Sequence, residues 1–382
     1  LAGDAVTTGG DNVYIGGETG GAATTGTNNV AVGRAALVTQ TTASNNVAIG
    51  SNALYANTTG ALNTAVGTYA LDANTTADYG TALGAYALTS NTTGAANTSV
   101  GYGSMNTNTT GADNTAMGTS ALYTNNATQN TAFGRSALAQ NTTGASNTAI
   151  GAYALDANTT AANNTAVGYA SLGANTTGTQ NVAVGTNALD ANTTASYNTA
   201  LGYASLGANS TGANNTAVGR TALENNTTAD DNTAVGKAVL SQNSTGASNT
   251  AVGSLALNLN TTASNNTAVG KSALTAVTGS SNNTALGYAA LTACVEASNT
   301  AVGYQAGVAI TTGDACVAIG KDAGLSITTG ATNTCVGALS GNSIQTGSSN
   351  TCIGYDSDCA HDSSNSITMG VGITGQGDNF KF

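Results

Sequence analysis

A glycine returns every seventeen residues along this chain, and that period limits what the chain can fold into. The series runs Gly16, Gly33, Gly50, Gly67, Gly84, Gly101 and Gly118, then by seventeens from Gly134 to Gly287, then Gly303, Gly320, Gly337 and Gly354. Only the steps 118–134 and 287–303 are one residue short. A consensus N-T-A-V-G-x-x-A-L-x-x-N-T-T-G-A-x is legible in Asn147 to Asn163. So fixed a period means one supersecondary unit stacked on copies of itself. The expected fold is all-β, a parallel β-solenoid (β-roll or β-helix) of about 21 turns. It is expected over residues 1–355, with 356–382 as a capping or junction segment.

With each repeat glycine as position 0, position −1 is apolar at every turn, as in Val66, Leu83, Val100, Met117 and Phe133. Position −3 mixes Val and Thr (Val30, Val47, Thr64, Thr81), and alanine lies between them in most turns. Such alternation predicts a short strand with one buried face. Valine stacked on valine is the expected interior, with alanine-rich columns facing outward. Glycine closes the strand at a corner that needs positive φ. Leucine recurs at +4, from Leu37 and Leu54 to Leu291, as a second core column and the mark of a second short strand. The N-T-T-G-A corner carries both one-residue deletions, as loops do. At about 4.8 Å per turn, some 21 turns would make a rod of about 100 Å.

Position +7 holds asparagine in thirteen consecutive turns: Asn57, Asn74, Asn91, Asn108, Asn125, Asn141, Asn158, Asn175, Asn192, Asn209, Asn226, Asn243 and Asn260. All but Asn125 read as N-glycosylation acceptors. Downstream the column becomes Val277, Cys294, Ile310, Ile327 and Ile344, so it is expected to point inward. Two readings follow: a buried ladder of amides bonded from turn to turn, or a densely glycosylated edge. Glycans spaced by about 4.8 Å would collide. Asn163 and Asn214 are further acceptors.

Six of the seven basic residues fall at +1: Arg34, Arg135, Arg220, Lys237, Lys271 and Lys321. Tyr102, Tyr169, Tyr203, Tyr288, Tyr304 and Tyr355 share that column, and Asp72, Asp156, Asp190 and Glu224 recur at +5. Arg34, Arg135, Tyr169, Tyr203, Arg220 and Lys237 are therefore candidates for contact with another chain or a receptor. A solvated face is the alternative.

The chain has 382 residues, no Pro or Trp, 7% charged residues and a net charge of −11, which makes nucleic acid an unfavourable partner. No apolar run reaches the roughly 18 residues of a membrane span, so no insertion is expected. A start at Leu1 without methionine or leader reads as a processed or partial chain, and the end near Asp378-Asn379-Phe380-Lys381 as a cut.

All five cysteines lie in the last stretch: Cys294, Cys316, Cys335, Cys352 and Cys359. Cys335 and Cys352 are one period apart in the alanine column, either as small core residues or within disulfide range. There is one histidine, His361, and no nucleophile–histidine–acid set, so neither an enzyme nor a cofactor is expected. Asp356, Asp358, Cys359, His361 and Asp362 form the one cluster with metal-ligand chemistry, and a polar capping loop is its other reading. Thr58, Thr75, Thr92, Thr142 and Thr159 are expected to form an outward hydroxyl and methyl row of the sort an ice-binding solenoid uses.

Asn299-Thr-Ala-Val-Gly-Tyr-Gln-Ala-Gly307, Thr311-Thr-Gly313 and Ser349-Asn350-Thr-Cys-Ile-Gly354 resemble the repeats of phage and other viral tail-fibre proteins. Ser366-Ile-Thr-Met-Gly370 resembles the last repeat before an endosialidase-type intramolecular chaperone. The resemblance implies a homotrimeric shaft that presents a surface to a host receptor or glycan, located on a virion or outside the cell. The N-x-A-V/I-G core also resembles the head repeats of trimeric autotransporter adhesins, whose units are shorter. An extracellular head-to-tail filament is a further reading of sticky solenoid ends.

Overall fold

The computed structural model describes residues 2–375 and the backbone of 380–381. Leu1, residues 376–379 and Phe382, including most of the expected cut end, lie outside the described residues. The fold is all-β, a parallel β-solenoid of about 21 turns with a repeat of about 17 residues. The chain divides into two compact units, Leu1–Ala195 and Ser196–Phe382.

In the first unit the described residues form eleven three-residue strands, from β1 (Val13–Ile15) to β11 (Val182–Val184). In the second they run from β12 (Thr199–Leu201) to β21 (Thr351–Ile353), followed by β22 (Asp358–Cys359), β23 (Ile367–Met369), β24 (Thr374–Gly375) and β25 (Phe380–Lys381). Pairing is parallel with like residues in register: Thr216 sits beside Thr233, Ala217 beside Ala234 and Val218 beside Val235. The short steps do not disturb it, since Thr115 pairs with Thr131 and Thr284 with Thr300. The expected capping segment continues the coil, as β21 pairs in register with β23.

Within most strands the interior belongs to alanine. Ala65, Ala166 and Ala217 are fully buried, whereas positions −3 and −1 are half-exposed or exposed. The sequence reading put valine inside and alanine outside, and the structure reverses the two. Successive Cβ atoms of a strand alternate between faces. Leucine at +4 and two asparagines per turn already fill the narrow lumen, which leaves room at −2 for a methyl group.

The expected second strand is a run of turns instead. In the segment after Gly168, Ala170 and Leu172 both take φ +51°, and the same pair of left-handed positions recurs along the chain. The ladder nevertheless continues: Leu172 N donates to Ala188 O at 2.9 Å, and Ala170 N to Ala152 O at 3.0 Å. Positive φ is especially hostile to β-branched residues, which explains why +4 holds Leu or Met and never Val or Ile. In three later turns glycine takes that position, at φ +59° in Gly307, +58° in Gly324 and +61° in Gly341. The volume it vacates is filled from +7: a Cβ on Gly307 would lie 2.9 Å from Ile310 Cδ1. Leucine and asparagine have been exchanged together for glycine and isoleucine, with the lumen kept full.

Candidate functional site

Asparagine builds two columns inside the coil. At +7 every residue from Asn57 to Asn260 is fully buried. In the first unit Asn74 Nδ2 donates to Asn57 Oδ1 at 2.9 Å, and Asn158 Nδ2 to Asn141 Oδ1 at 2.8 Å. In the second Asn226 donates to Asn209 at 2.8 Å and Asn260 to Asn243 at 2.7 Å. The column stops where Val277 replaces the next amide, and Asn260 Oδ1 is left without a partner inside the protein.

A second amide column at −4 went unrecognised in the sequence. Asn147, Asn164 and Asn215 are as buried as the first set. Each side-chain carbonyl caps the backbone amide of the next turn, as Asn147 Oδ1 accepts from Asn164 N at 2.9 Å. Both columns meet at one backbone carbonyl per turn: Ala161 O accepts from Asn158 Nδ2 at 3.0 Å and from Asn147 Nδ2 at 2.9 Å. The signal for this second column is the first letter of N-T-A-V-G, which from Gly16 to Gly354 is interrupted only by Gly80 and Cys316.

Burial of the +7 amides closes them to glycosylation. Expression in a glycosylating eukaryotic host, followed by glycopeptide mapping, is expected to find no glycan at Asn141, Asn158 or Asn175. Exposed Asn163 and Asn214 are among the acceptors left open. Occupancy at the buried amides would contradict the ladder.

The outward side of the strands is the broadest candidate surface. In the first unit Ile15, Ile49, Leu83, Met117 and Ile150 are 40–58% exposed and recur every second turn. Val32, Val66, Val100 and Val167 fill the turns between, with Phe133 as the exception. In the second unit the same alternation runs through Leu286, Val302, Ile319, Val336 and Ile353. Monomeric proteins seldom leave apolar patches beyond a few hundred Å² in the open.

The corner after each glycine carries the charged and aromatic candidates. Arg135 lies over the Tyr153 ring at 5.6 Å, and Tyr153 meets Tyr169 edge-on at 5.9 Å. Tyr288 and Tyr304 stack at 5.3 Å. Arg34 pairs with Glu18 at 3.9 Å, an exposed pair of small energetic value. Tyr203, Arg220 and Lys237 are exposed on the same corner column. Burial raises the carboxyls of Asp72, Asp156 and Asp190 above their ordinary range. These groups therefore favour the fold more at acid pH and less as pH rises through their folded pKa.

The residues of the metal candidate do not converge. Asp358 is buried and accepts from Ser343 N at 3.0 Å and Cys359 N at 2.9 Å. Asp356 is exposed, and His361 contacts Asp362 alone among the candidates. Thr346 and His361 hold the Asp362 carboxyl below its usual range. Among the described residues no three such side chains are arranged to hold an ion.

The expected ice-binding row is also spent. Thr58, Thr75, Thr142 and Thr159 hydroxyls each donate to a carbonyl of the next turn, at 2.9–3.2 Å. Among the described residues no helix is long and apolar enough to cross a membrane. Comparison with protein-family models and with curated proteins finds no match for this chain.

Proposed function

We propose that this chain is a structural, non-enzymatic fibre protein whose coils pack side by side with copies of themselves. The reading is that of a shaft, on a virion or outside the cell, that presents surface residues to a host receptor or glycan. The observation that carries it is the exposed aliphatic column on the strands, set on an interior bonded from turn to turn. Such an interior resists bending, and a long outward apolar column asks for cover.

The alternation of bulk supports a second copy as that cover. Large residues at every second turn, with valines between, can interlock with an offset partner as bumps into hollows. The strand face of the first unit alone measures about 50 by 10 Å at ~4.8 Å per strand, so two facing copies would bury on the order of 1,000 Å². That area is the lower bound for a specific interface. The resemblance to viral tail-fibre repeats favours three copies and a virion. Arg135, Tyr169 and Tyr203, on the adjoining corner, are placed to border such a contact or to meet a receptor.

Sedimentation of the purified chain tests this. Wild-type protein at tens of micromolar is expected at a multiple of 36.8 kDa, three copies in the tail-fibre reading. Leu83→Lys combined with Ile150→Lys puts like charges on facing columns and is expected to yield the single-chain mass with unchanged far-ultraviolet circular dichroism. A monomeric wild type, or a variant that stays assembled, would sink the strand-face reading. Thermal hysteresis from a monomeric wild type would point instead to ice, for which an evenly spaced Thr/aliphatic face is also suited. Electron microscopy of the assembled state separates a fibre of fixed length from an open head-to-tail filament.

A further inference from the structure

We propose that Cys352 and Cys359 are a disulfide-forming pair, closed by exchange with a small-molecule disulfide or a protein thiol oxidase. This inference does not rest on the fibre reading. Cys352 takes the alanine position of β21, and Cys359 is the second residue of β22, which pairs with β24 in a small separate sheet. Their Sγ atoms lie 2.9 Å apart, and both residues are fully buried. Two thiols this close need little movement to join.

Cys335 is the competing partner, one turn before Cys352 and in register with it. Residues stacked in register on parallel strands project the same way, so their Cβ vectors run alongside each other and do not converge. The Cys335 thiol touches Cys352 from the neighbouring turn and also fills the space that a Cβ on Gly341 would occupy, whereas the 2.9 Å approach is to Cys359. Geometry therefore selects Cys359 over Cys335.

The bond would tie β22 and its small sheet to the main stack across a seven-residue span. The balance is that of two exchanges. One cysteine thiolate attacks the carrier disulfide, forms a mixed disulfide and releases one carrier thiolate, which takes up a proton. The second cysteine then attacks the protein sulfur of that mixed disulfide and expels the other carrier thiol. Two protein S–H bonds are lost and one S–S bond is gained, while the carrier leaves as two thiols with both electrons and both protons.

The closed coil disfavours the first attack. Contact with Cys335, together with burial, pushes the Cys352 thiol up to about 12, and contact with Cys352, then burial, pushes Cys359 up as well. Thiolate is the reacting species, so exchange is expected while this turn is open, during folding or local unfolding.

The test uses the full chain, refolded from urea in parallel into oxidised/reduced glutathione and into a phosphine reductant. Native chain is incubated with oxidised glutathione as a third arm. Each sample is quenched with acid, unfolded, alkylated with iodoacetamide and digested with chymotrypsin, which cuts after Tyr355 between the two cysteines. In the oxidising refolding arm three of the five cysteines are expected to be alkylated, with Cys352 and Cys359 peptides joined and separable by reduction. The native arm is expected to give the same pair at a rate at least about tenfold slower. Five alkylated cysteines in both glutathione arms would overturn the proposal. So would a Cys335–Cys352 link, or separate glutathione adducts on Cys352 and Cys359.

Discussion

Gly168→Ala is expected to lower stability by about 2–5 kcal/mol, from strained φ and forced overlap together. Gly168 sits at φ +135°, and a Cβ built there lies 2.6 Å from both the carbonyl carbon and the oxygen of Gly185. Neither atom can retreat, because Gly185 N is itself bonded to Val167 O at 2.7 Å. Gly17→Ala is the control. Nothing lies within 4 Å of its added Cβ, and its backbone is not left-handed, so the change is expected to be within about 0.5 kcal/mol of neutral. Urea unfolding followed by circular dichroism reads both. Equal effects at the two positions would mean that the glycine period serves something other than close approach of turns. The seventeen-residue period thus exists because a backbone passes directly over a backbone at that corner.

Asn158→Ala is the second large expected effect. The substitution removes the donor to Asn141 Oδ1 at 2.8 Å and the acceptor used by Asn175 Nδ2 at 3.1 Å. Ala161 O keeps its second donor, Asn147, and Asn175 Nδ2 keeps its bond to Gly178 O, so what is left unsatisfied is the Asn141 side-chain carbonyl and one N–H of Asn175. At about 1–3 kcal/mol for each unsatisfied buried group, the expected cost is about 2–5 kcal/mol. Asn260→Ala orphans only Asn243 Oδ1, since Asn260 Oδ1 has no partner to lose, and is expected to cost about half as much. Urea midpoints of the two variants provide the comparison. If both cost the same, the amides would be acting as separate pairs with their own carbonyls and not as a column.

Much of the architecture could be read from the chain because the period and the columns are strict. Asparagine giving way to Val277, Cys294 and Ile310 told which way +7 faces, since an apolar substitute has no reason to point at water. The same logic failed for the strand. Valine at −1 and alanine at −2 are both apolar, so polarity could not say which one faces inward. Volume decides it: the lumen already holds Leu172, Asn164 and Asn175, and only a methyl fits beside them. That measure needs the positions of all the columns at once. Reading Leu172 as a strand residue failed because leucine at φ +51° leaves no compositional trace beyond the missing Val and Ile. The corner candidates stayed legible as exposed residues, but which of them touch, as Arg135 and Tyr153 do, depends on neighbouring turns.

A lumen lined by amides as much as by hydrocarbon has a thermal consequence. Exposing apolar surface raises the heat capacity of an unfolding chain, while exposing polar surface lowers it. Asparagine columns and alanine methyls therefore leave this coil with a smaller heat-capacity increment than a leucine-packed protein of equal length. Its stability curve is correspondingly broad, and chilling toward the freezing point of water weakens it little.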